Sequence, residues 1–492
     1  MAREENILQG EAAGLPLLVL LFALHTFFLM GTGMWSDLSM AGEGFATMLY
    51  YAREGVLAAG FLLYAAFAYL RREHPLSSKA LGGIGIALVV LFACCGLALQ
   101  LSDQAAVRIV SALMLALLVG ISGGMAYECI ALAAHRIARC GESGESWTCA
   151  RLRGDSSRAL GIVVGGGGAL AVIAQYVLQI SLSLGVWLCI CFIICFGAVM
   201  GLVWKARSAS LARQGVESKG SLSVLPLVCM VVAAACLFML LPFYEVTILS
   251  SGSTASFYEW HRLFLIAGYV VIGLLAFLGG RSAASIAMLV SALFAIIVLM
   301  KTFILDAGPL QEDLLTGALF YALLGAVLAW TGIAFMSAAG QSRQPALVAS
   351  LGRVLSALVT MLELLIPAMG ELSLMPVLIA ALVLLSAIVV SMVKGGFLVF
   401  PAHGADGVES PREADALSVE ERVELLSSKC GLTAREQEVL AALVLTENKN
   451  QQIADDLNIS RRQLQTHISH IYEKTGTTTR AGLVVRVNDE AV

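Results

Sequence analysis

The chain has 492 residues, of which 59% are hydrophobic and only 13% charged, and its mean hydropathy is +0.85. Soluble domains carry roughly a quarter charged residues, so a wholly water-soluble protein is excluded. The net charge of −4 makes no electrostatic case for a polyanionic partner of the chain as a whole.

The first residues, MAREENILQGEAAG, are polar and acidic. The apolar run after them is too long for the core of a signal peptide and lacks a clear small-residue cleavage site, so it reads as a retained first span. Runs of about twenty apolar residues, enough to cross a bilayer core, then recur to residue 398. Twelve spans are predicted: Gly14–Met34, Phe45–Leu70, Ala80–Leu101, Val107–Glu128, Leu160–Leu182, Leu184–Trp204, Val224–Val246, Trp260–Gly279, Ala283–Ile304, Leu314–Met336, Ala346–Met369 and Leu374–Val393. Lipid offers backbone groups no partner, which makes them helices. The absence of period-two alternation argues against a barrel.

Lysine and arginine in the loops orient the spans. One set of loops holds Arg71, Arg72 and Lys79, then Arg136, Arg139, Arg151, Arg153 and Arg158, then Lys205, Arg207, Arg213 and Lys219, then Arg281, then Arg343. The alternate set offers Arg108 and Lys301, and carries Asp306, Glu312 and Asp313. The basic set marks the cytoplasm, so both termini fall inside. The polar stretch Lys205–Leu222 divides the spans six and six. Of eleven cysteines, eight (Cys94, Cys95, Cys129, Cys189, Cys191, Cys195, Cys229 and Cys236) lie in or at the ends of apolar runs, where the thiol is a small apolar filler. Cys140 and Cys149 share a loop assigned to the cytoplasm, where a disulfide is disfavoured. No Cys-x-x-Cys pair with metal spacing occurs.

Ionisable groups inside spans are costly and mark candidate sites. His25, Arg53, Glu54, Glu245, His261, Arg262, Arg353 and Glu363 are of this kind. Most fall toward the outer side in the orientation above, and the expectation is a polar, outward-facing ligand cavity formed by His25, Arg53, Glu54, Glu245, Arg262, Arg353 and Glu363. The plainer alternative is snorkelling or structural ion pairs. Neighbours on a helix point about 100° apart, so Arg53 and Glu54 are expected to find separate partners. Gly161 and Gly165–Gly168 in the fifth span indicate close helix packing. The six-plus-six arrangement with both ends inside resembles the major facilitator superfamily. That family's basic signature between its second and third spans is present only in part, in LRREHPLSSKALGG, which has Arg71 and Arg72 without an Asp-Arg pair.

Residues 399–417, which contain FPAHGADGVESPREADA, are rich in Gly, Pro and charge and read as a flexible linker, with a reach of about 20–25 Å. Ser418 and Glu421 then match a capping box, as do Thr433 and Glu436. Val439, Leu440, Leu443 and Val444 form a helical apolar stripe. Asn450 caps a second short helix with Ile453, Ala454 and Leu457 on its inner face. Asn458-Ile459 makes a tight turn, and Ser460 caps a third helix with Leu464, Ile468, Ile471 and Tyr472 inward. A short helix, a turn and a longer helix describe a helix-turn-helix. Its second helix enters the major groove with its N-terminal residues at base edges, which places Arg461, Arg462, Gln463 and Gln465 against DNA. Arg suits guanine and Gln suits adenine. His467 falls nearer the phosphates, and Lys474 and Arg480 are expected on the backbone.

The residues Leu432-Thr433, Arg435-Glu436, Glu438-Val439-Leu440, Asn450, Ile453-Ala454, Leu457, Ile459-Ser460, His467, Ile471-Tyr472, Lys474, Gly476 and Arg480 resemble the LuxR-type helix-turn-helix family of bacterial regulators. The resemblance implies a four-helix domain that binds double-stranded DNA as a dimer, often through a last helix, here about residues 479–487. Where the family has Thr-Val-Lys ahead of the His, this chain has Gln463-Leu464-Gln465. From Gly431 to Val492 seven basic residues face eight acidic ones, so one copy should bind DNA weakly.

The expectation is thus an all-α chain in three parts: a transmembrane sensor domain (1–398), a cytoplasmic linker (399–417) and a LuxR-type DNA-binding domain (418–492). It reads as a one-component regulator of the bacterial inner membrane that takes an unknown small ligand among its spans, in contact with lipid, and pairs as a homodimer on DNA. The alternative is a transporter with a fused regulator. No catalytic constellation, cofactor motif or metal site is legible.

Overall fold

A computed structural model describes residues 14–39, 46–72, 77–140, 152, 154–181, 186–211, 224–244, 260–304, 314–363, 419–445, 450–477, 479–480, 483 and 486–487. Every regular element among them is a helix. The chain divides into two compact units, Met1–Ala402 and His403–Val492.

The first unit contains α1 (Leu15–Ser39), α2 (Ala46–Leu70), α3 (Ser78–Leu101), α4 (Ala105–Cys140), α5 (Ser156–Ser181), α6 (Val186–Leu211), α7 (Val224–Tyr244), a 3-10 turn (Trp260–Phe264), α8 (Leu265–Ile304), α9 (Leu314–Ala339) and α10 (Pro345–Glu363). Eleven of the twelve predicted spans coincide with these helices, and nine helices among the described residues are long and apolar enough to cross a membrane. The eighth and ninth spans are joined as α8 and are separated at Gly280, whose φ of 67° and ψ of −156° are not helical; glycine reaches that region at no steric cost. The twelfth span, 374–393, and the linker lie outside the described residues, as does Ser418.

Two C-terminal boundaries differ most from the sequence reading. α4 runs twelve residues beyond Glu128, to Cys140, and α6 continues past Lys205 to Leu211. Hydropathy ends a span where polar residues begin, whereas the helix itself carries on until its backbone bonding is interrupted. Among the described residues, every exposed large apolar side chain lies before residue 363, as with Leu70, Ile86, Val110 and Ile194. A contiguous apolar exterior of that kind is suited to lipid and not to water.

The helix pairings repeat between halves. α2 packs on α10, and α5 on α8; α1 packs on α5, and α7 on α10; α2 packs on α4, and α8 on α9. In span numbers these are 2/11 and 5/8, 1/5 and 7/11, 2/4 and 8/10. Adding six to each number turns the first member of every couple into the second, as an internal two-fold repeat requires. The repeat extends to individual glycines. A Cβ on Gly60 would lie 2.4 Å from the Leu117 carbonyl oxygen, and one on Gly120 would lie 2.3 Å from that of Leu57. In the other half the same crossing is made by Gly268 and Gly325, where an added Cβ would lie 2.1 Å from the Ala322 carbonyl oxygen and 2.3 Å from that of Leu265. Leu57-x-x-Gly60 and Leu265-x-x-Gly268 occupy equivalent places. Backbones this close exclude any side chain, which is how helices pack tightly in lipid.

The glycines of α5 serve the same end. Gly161 and Gly165 meet Gly273 of α8, while a Cβ on Gly167 would lie 2.9 Å from the Val19 carbonyl oxygen of α1. A Gly161→Val substitution, whose Cβ would begin 2.5 Å from the Gly273 oxygen, is expected to cost about 1–3 kcal/mol or more by overpacking. Thermal unfolding in detergent or nanodiscs would register it, and an unchanged midpoint would show that α5 and α8 are free to separate.

The second unit contains α11 (Val419–Lys429), α12 (Ala434–Leu445), α13 (Asn450–Asp456) and α14 (Arg461–Thr475). Residues 480, 483, 486 and 487 are also helical. Its core is Val423, Leu426, Val439, Leu440, Leu443, Ile453, Ala454, Leu464, Ile471, Leu483 and Val487.

Candidate DNA-reading surface and membrane cavity

The helix-turn-helix is built by local bonding. α13 ends in a turn in which the Asn458 amide donates to Asp455 O (3.1 Å) and the Ile459 amide to Ala454 O (2.9 Å). Asn458 takes φ 53°, a left-handed conformation that asparagine tolerates better than most residues. Ser460 then caps α14: its hydroxyl accepts from the Gln463 amide, and the Gln463 side-chain oxygen accepts from the Ser460 amide at 3.0 Å. This capping box directs the first turn of α14 outward. Leu464 and Ile471 fill the core, while Arg461, Arg462, Gln463 and Gln465 are exposed. Four polar side chains, two of them cationic, therefore share the N-terminal surface of the second helix of the motif.

The remaining predicted contacts sort differently. Asn450 is exposed as the first residue of α13, and His467 is half-buried. Lys474 Nζ donates to Glu436 Oε2 at 2.7 Å and to Gly431 O at 3.3 Å. Arg480 Nε donates to Leu443 O at 2.8 Å. Both cations tie α14 and the residues after it to α12, so their first use is internal. Gln463 is exposed and engaged through its side-chain oxygen and its backbone amide.

Glu436 joins these ties. It closes the predicted capping box, accepting from the Thr433 amide at 2.8 Å, and it is itself buried. The Lys474 bond, reinforced by the Thr433 amide, holds its carboxyl down at about 2, from an ordinary 4.5. A depressed carboxylate contributes stability that is complete above its unfolded value and is lost as pH falls toward the folded one. The second unit should therefore weaken between about pH 4.5 and 2, and Glu436→Gln should cost about 1.5–3 kcal/mol at neutral pH while flattening that acid dependence. Denaturant unfolding of residues 417–492 across pH checks both; a variant with the same acid profile as the parent would remove Glu436 from the account.

In the membrane unit, Arg53 and Glu54 of α2, Arg262 of the 3-10 turn and Arg353 of α10 line one cavity of about 440 Å³. Four of the seven residues expected at such a site are thus brought together by segments far apart in the chain. Glu54 is shared: its oxygens lie 3.6 Å from Arg53 and 3.5 Å from Arg353. The neighbours Arg53 and Glu54 do meet, against the expectation of wholly separate partners, because long side chains overcome the angle between their Cβ directions. Arg353 also donates to Ser356 Oγ at 3.1 Å, and Arg53 stands 5.2 Å above the ring of Tyr50. His25 is fully buried but does not line the cavity; it stands behind Tyr127, with ring centroids 5.5 Å apart. Glu245 lies outside the described residues, and so do the side chains of His261 and Glu363.

The cavity is lined by α1, α2, α4, α7, α8, α9, α10 and the 3-10 turn; Leu29, Tyr50, Leu115, Phe320 and Val359 lie on segments remote from the arginine-rich loops, and Ala349 lies nearer to them. At the arginine-rich end the halves touch. Ser156 of α5 and Ser337 of α9 are 3.1 Å apart, and Gly340 is so close to His135 of α4 that a Cβ there would lie 2.7 Å from the imidazole.

A buried cluster escaped the sequence reading. Tyr64 of α2 donates to Glu128 of α4; Arg207 of α6 donates to the Tyr64 hydroxyl at 2.6 Å and to Glu128 at 2.9 Å. The signal was available, since Glu128 is an acid on a predicted span and the rule that singles out Arg53 applies to it equally. Its position at the predicted end of the fourth span disguised it. The rings that line the cavity, Tyr127 and Tyr269 among them, carried no sequence signal.

No curated protein matches the chain in sequence. Residues 431–487 match the family described as bacterial regulatory proteins, luxR family, so the second unit is a LuxR-type helix-turn-helix, a DNA-binding domain of transcription regulators, carried on a chain whose other unit is built of apolar helices suited to a membrane.

Proposed function

We propose that the protein is a one-component transcription regulator of the bacterial inner membrane, with both termini in the cytoplasm, that binds a small ligand among its spans and passes its occupancy to the DNA-binding domain. The observation that carries this reading is the convergence of Arg53, Glu54, Arg262 and Arg353 on a single cavity. Ionisable side chains at membrane depth are expensive and are kept for function. The positive-inside rule puts the arginine-rich loops in the cytoplasm, and Tyr50, Phe320 and Val359 at one end of the cavity then lie toward the outer side. A ligand there biases the helical unit only by binding two of its arrangements unequally. We take the output to be dimerisation of the LuxR-type domain, because one copy has too little positive charge to hold DNA strongly.

Arg461, Arg462, Gln463 and Gln465 are assigned to base reading, with Asn450, Ser460 and His467 beside the phosphates; Lys474 and Arg480 would contribute only from within their internal ties. The test is a transcriptional reporter in intact cells. Arg353→Ala should uncouple reporter output from the growth medium while leaving membrane insertion and protein level unchanged. A reporter that responds as before sinks the sensing role.

A second reading, a transporter of the major facilitator type with an attached regulator, is favoured by the two-fold repeat of pairings around a central cavity. Purified protein in proteoliposomes distinguishes the two: saturable binding without flux supports sensing, and net flux supports transport.

A further inference from the structure

We infer that the cavity takes an uncharged aromatic molecule, held by rings from both halves of the bundle. The inference rests on the reading of the cavity as a ligand site and adds the chemical class of the ligand.

The rings carry the first half. Of the thirty described residues that line the cavity, six are Phe or Tyr, a fifth of the wall against 8% aromatic residues in the chain. Phe22, Tyr50 and Tyr127 come from spans 1, 2 and 4, and Phe238, Tyr269 and Phe320 from spans 7, 8 and 10, their counterparts under the repeat. A guest between them meets rings from both halves. Ring pairs gain beyond the area they bury, so an aromatic guest gains more here than a saturated one of the same size. The wall already makes such a contact with itself: Phe22 and Tyr127 stack with centroids 6.0 Å apart and planes 22° from parallel. At about 440 Å³ the space is within the range of small-molecule pockets.

The charged side chains carry the second half, because they are committed to the protein. Glu54 lies between Arg53 and Arg353, at 3.6 and 3.5 Å, and the three side chains are only 12%, 9% and 18% exposed. Arg353 also donates to Ser356, and Arg53 and Arg262 each make a further interaction. Nε of Arg353 and Oγ1 of Thr26 have no hydrogen-bond partner, but both atoms are buried, out of reach of a guest. The hydroxyls of Thr32 and Thr331 donate to carbonyls of their own helices, Phe28 O and Val327 O, each at 2.8 Å. A charged guest would give up its water and find every counter-charge already in use, which is expensive. An uncharged ring gives up little. The Glu54–Arg353 contact ties α2 to α10 across the two halves, and the rings hold the guest at the same seam.

The test measures equilibrium binding to the full-length protein in nanodiscs at neutral pH, with empty nanodiscs subtracted to remove partition into lipid. Four probes share one carbon skeleton: naphthalenemethanol, naphthoate, naphthalenemethylamine and the saturated decalinmethanol. Naphthalenemethanol should bind saturably. Naphthoate and the amine should bind at least about tenfold more weakly, and decalinmethanol about three- to tenfold more weakly. Phe238→Leu and, separately, Phe320→Leu should weaken naphthalenemethanol by about threefold or more while leaving decalinmethanol as it was, which separates a lost ring contact from a disturbed fold. Comparison of the probes on the unsubstituted protein stands even where a variant fails to fold. A charged probe or decalinmethanol that binds as tightly as naphthalenemethanol overturns the inference and leaves the ligand site standing. If none of the four binds saturably, the reading of the cavity as a ligand site fails with it.

Discussion

Glu128→Ala is expected to destabilise the membrane unit by about 3–5 kcal/mol, because it strands a largely buried cation. Arg207 and Tyr64 both turn toward the lost carboxylate, and Arg207 bonds it at 2.9 Å. The side chain of Glu128 is 7% exposed and that of Arg207 25%, so the guanidinium recovers some water and the lower end of the range is the better guide. The cluster joins α2, α4 and α6 within one half of the repeat. At the equivalent places in the other half, Ile272 and Ile333 are buried apolar residues, which shows that a hydrophobic solution fits the same crossing. Glu128→Met combined with Arg207→Met should therefore regain much of what the single change loses. A double-mutant cycle on unfolding in detergent measures the coupling. Additive costs would mean that the two side chains do not work as a pair.

The second large effect belongs to DNA recognition. Arg461→Ala should weaken specific binding by about 1–3 kcal/mol, roughly 5- to 150-fold in Kd. Arg461 is exposed on the first turn of α14, beside Arg462 and clear of the core residue Leu464, so the loss comes without a folding penalty. Two outcomes separate base reading from phosphate binding. If Arg461 reads a base, discrimination at one operator position falls and the salt dependence stays. If it holds a phosphate, binding weakens on every sequence and the salt slope drops by about one. Gel shifts at two ionic strengths, on the selected operator and on its single-base variants, decide between them. Unchanged affinity would take Arg461 out of the groove. Gln463→Ala carries a second cost, since it opens the capping box as well as removing an amide from the surface.

Within the DNA-binding domain most of the architecture was legible because it rests on short-range chemistry. The apolar stripe of α12, the Thr433–Glu436 box and the Ser460 cap each involve residues three or four apart, and all three are present. The use of Lys474 and Arg480 was not legible. Their partners Glu436 and Leu443 lie 38 and 37 residues away, and an exposed-looking cation in a DNA-binding motif gives no local hint that it is tied to its own domain.

In the membrane unit the amino-acid sequence alone determined that the chain crosses lipid as helices, and roughly where, since hydrocarbon leaves the backbone no other way to satisfy itself. It also marked Arg53, Glu54, Arg262 and Arg353 as costly. Only the tertiary structure decided which helices pair, which glycines permit the pairing, that His25 stands behind the cavity wall, and that Glu54 meets Arg353 across 299 residues of chain. Apolar side chains gain nothing from facing a helix in place of lipid, so the hydrophobic pattern that announces a span says little about its neighbours. Close backbone packing and a few buried polar contacts choose them, and those are properties of two surfaces meeting.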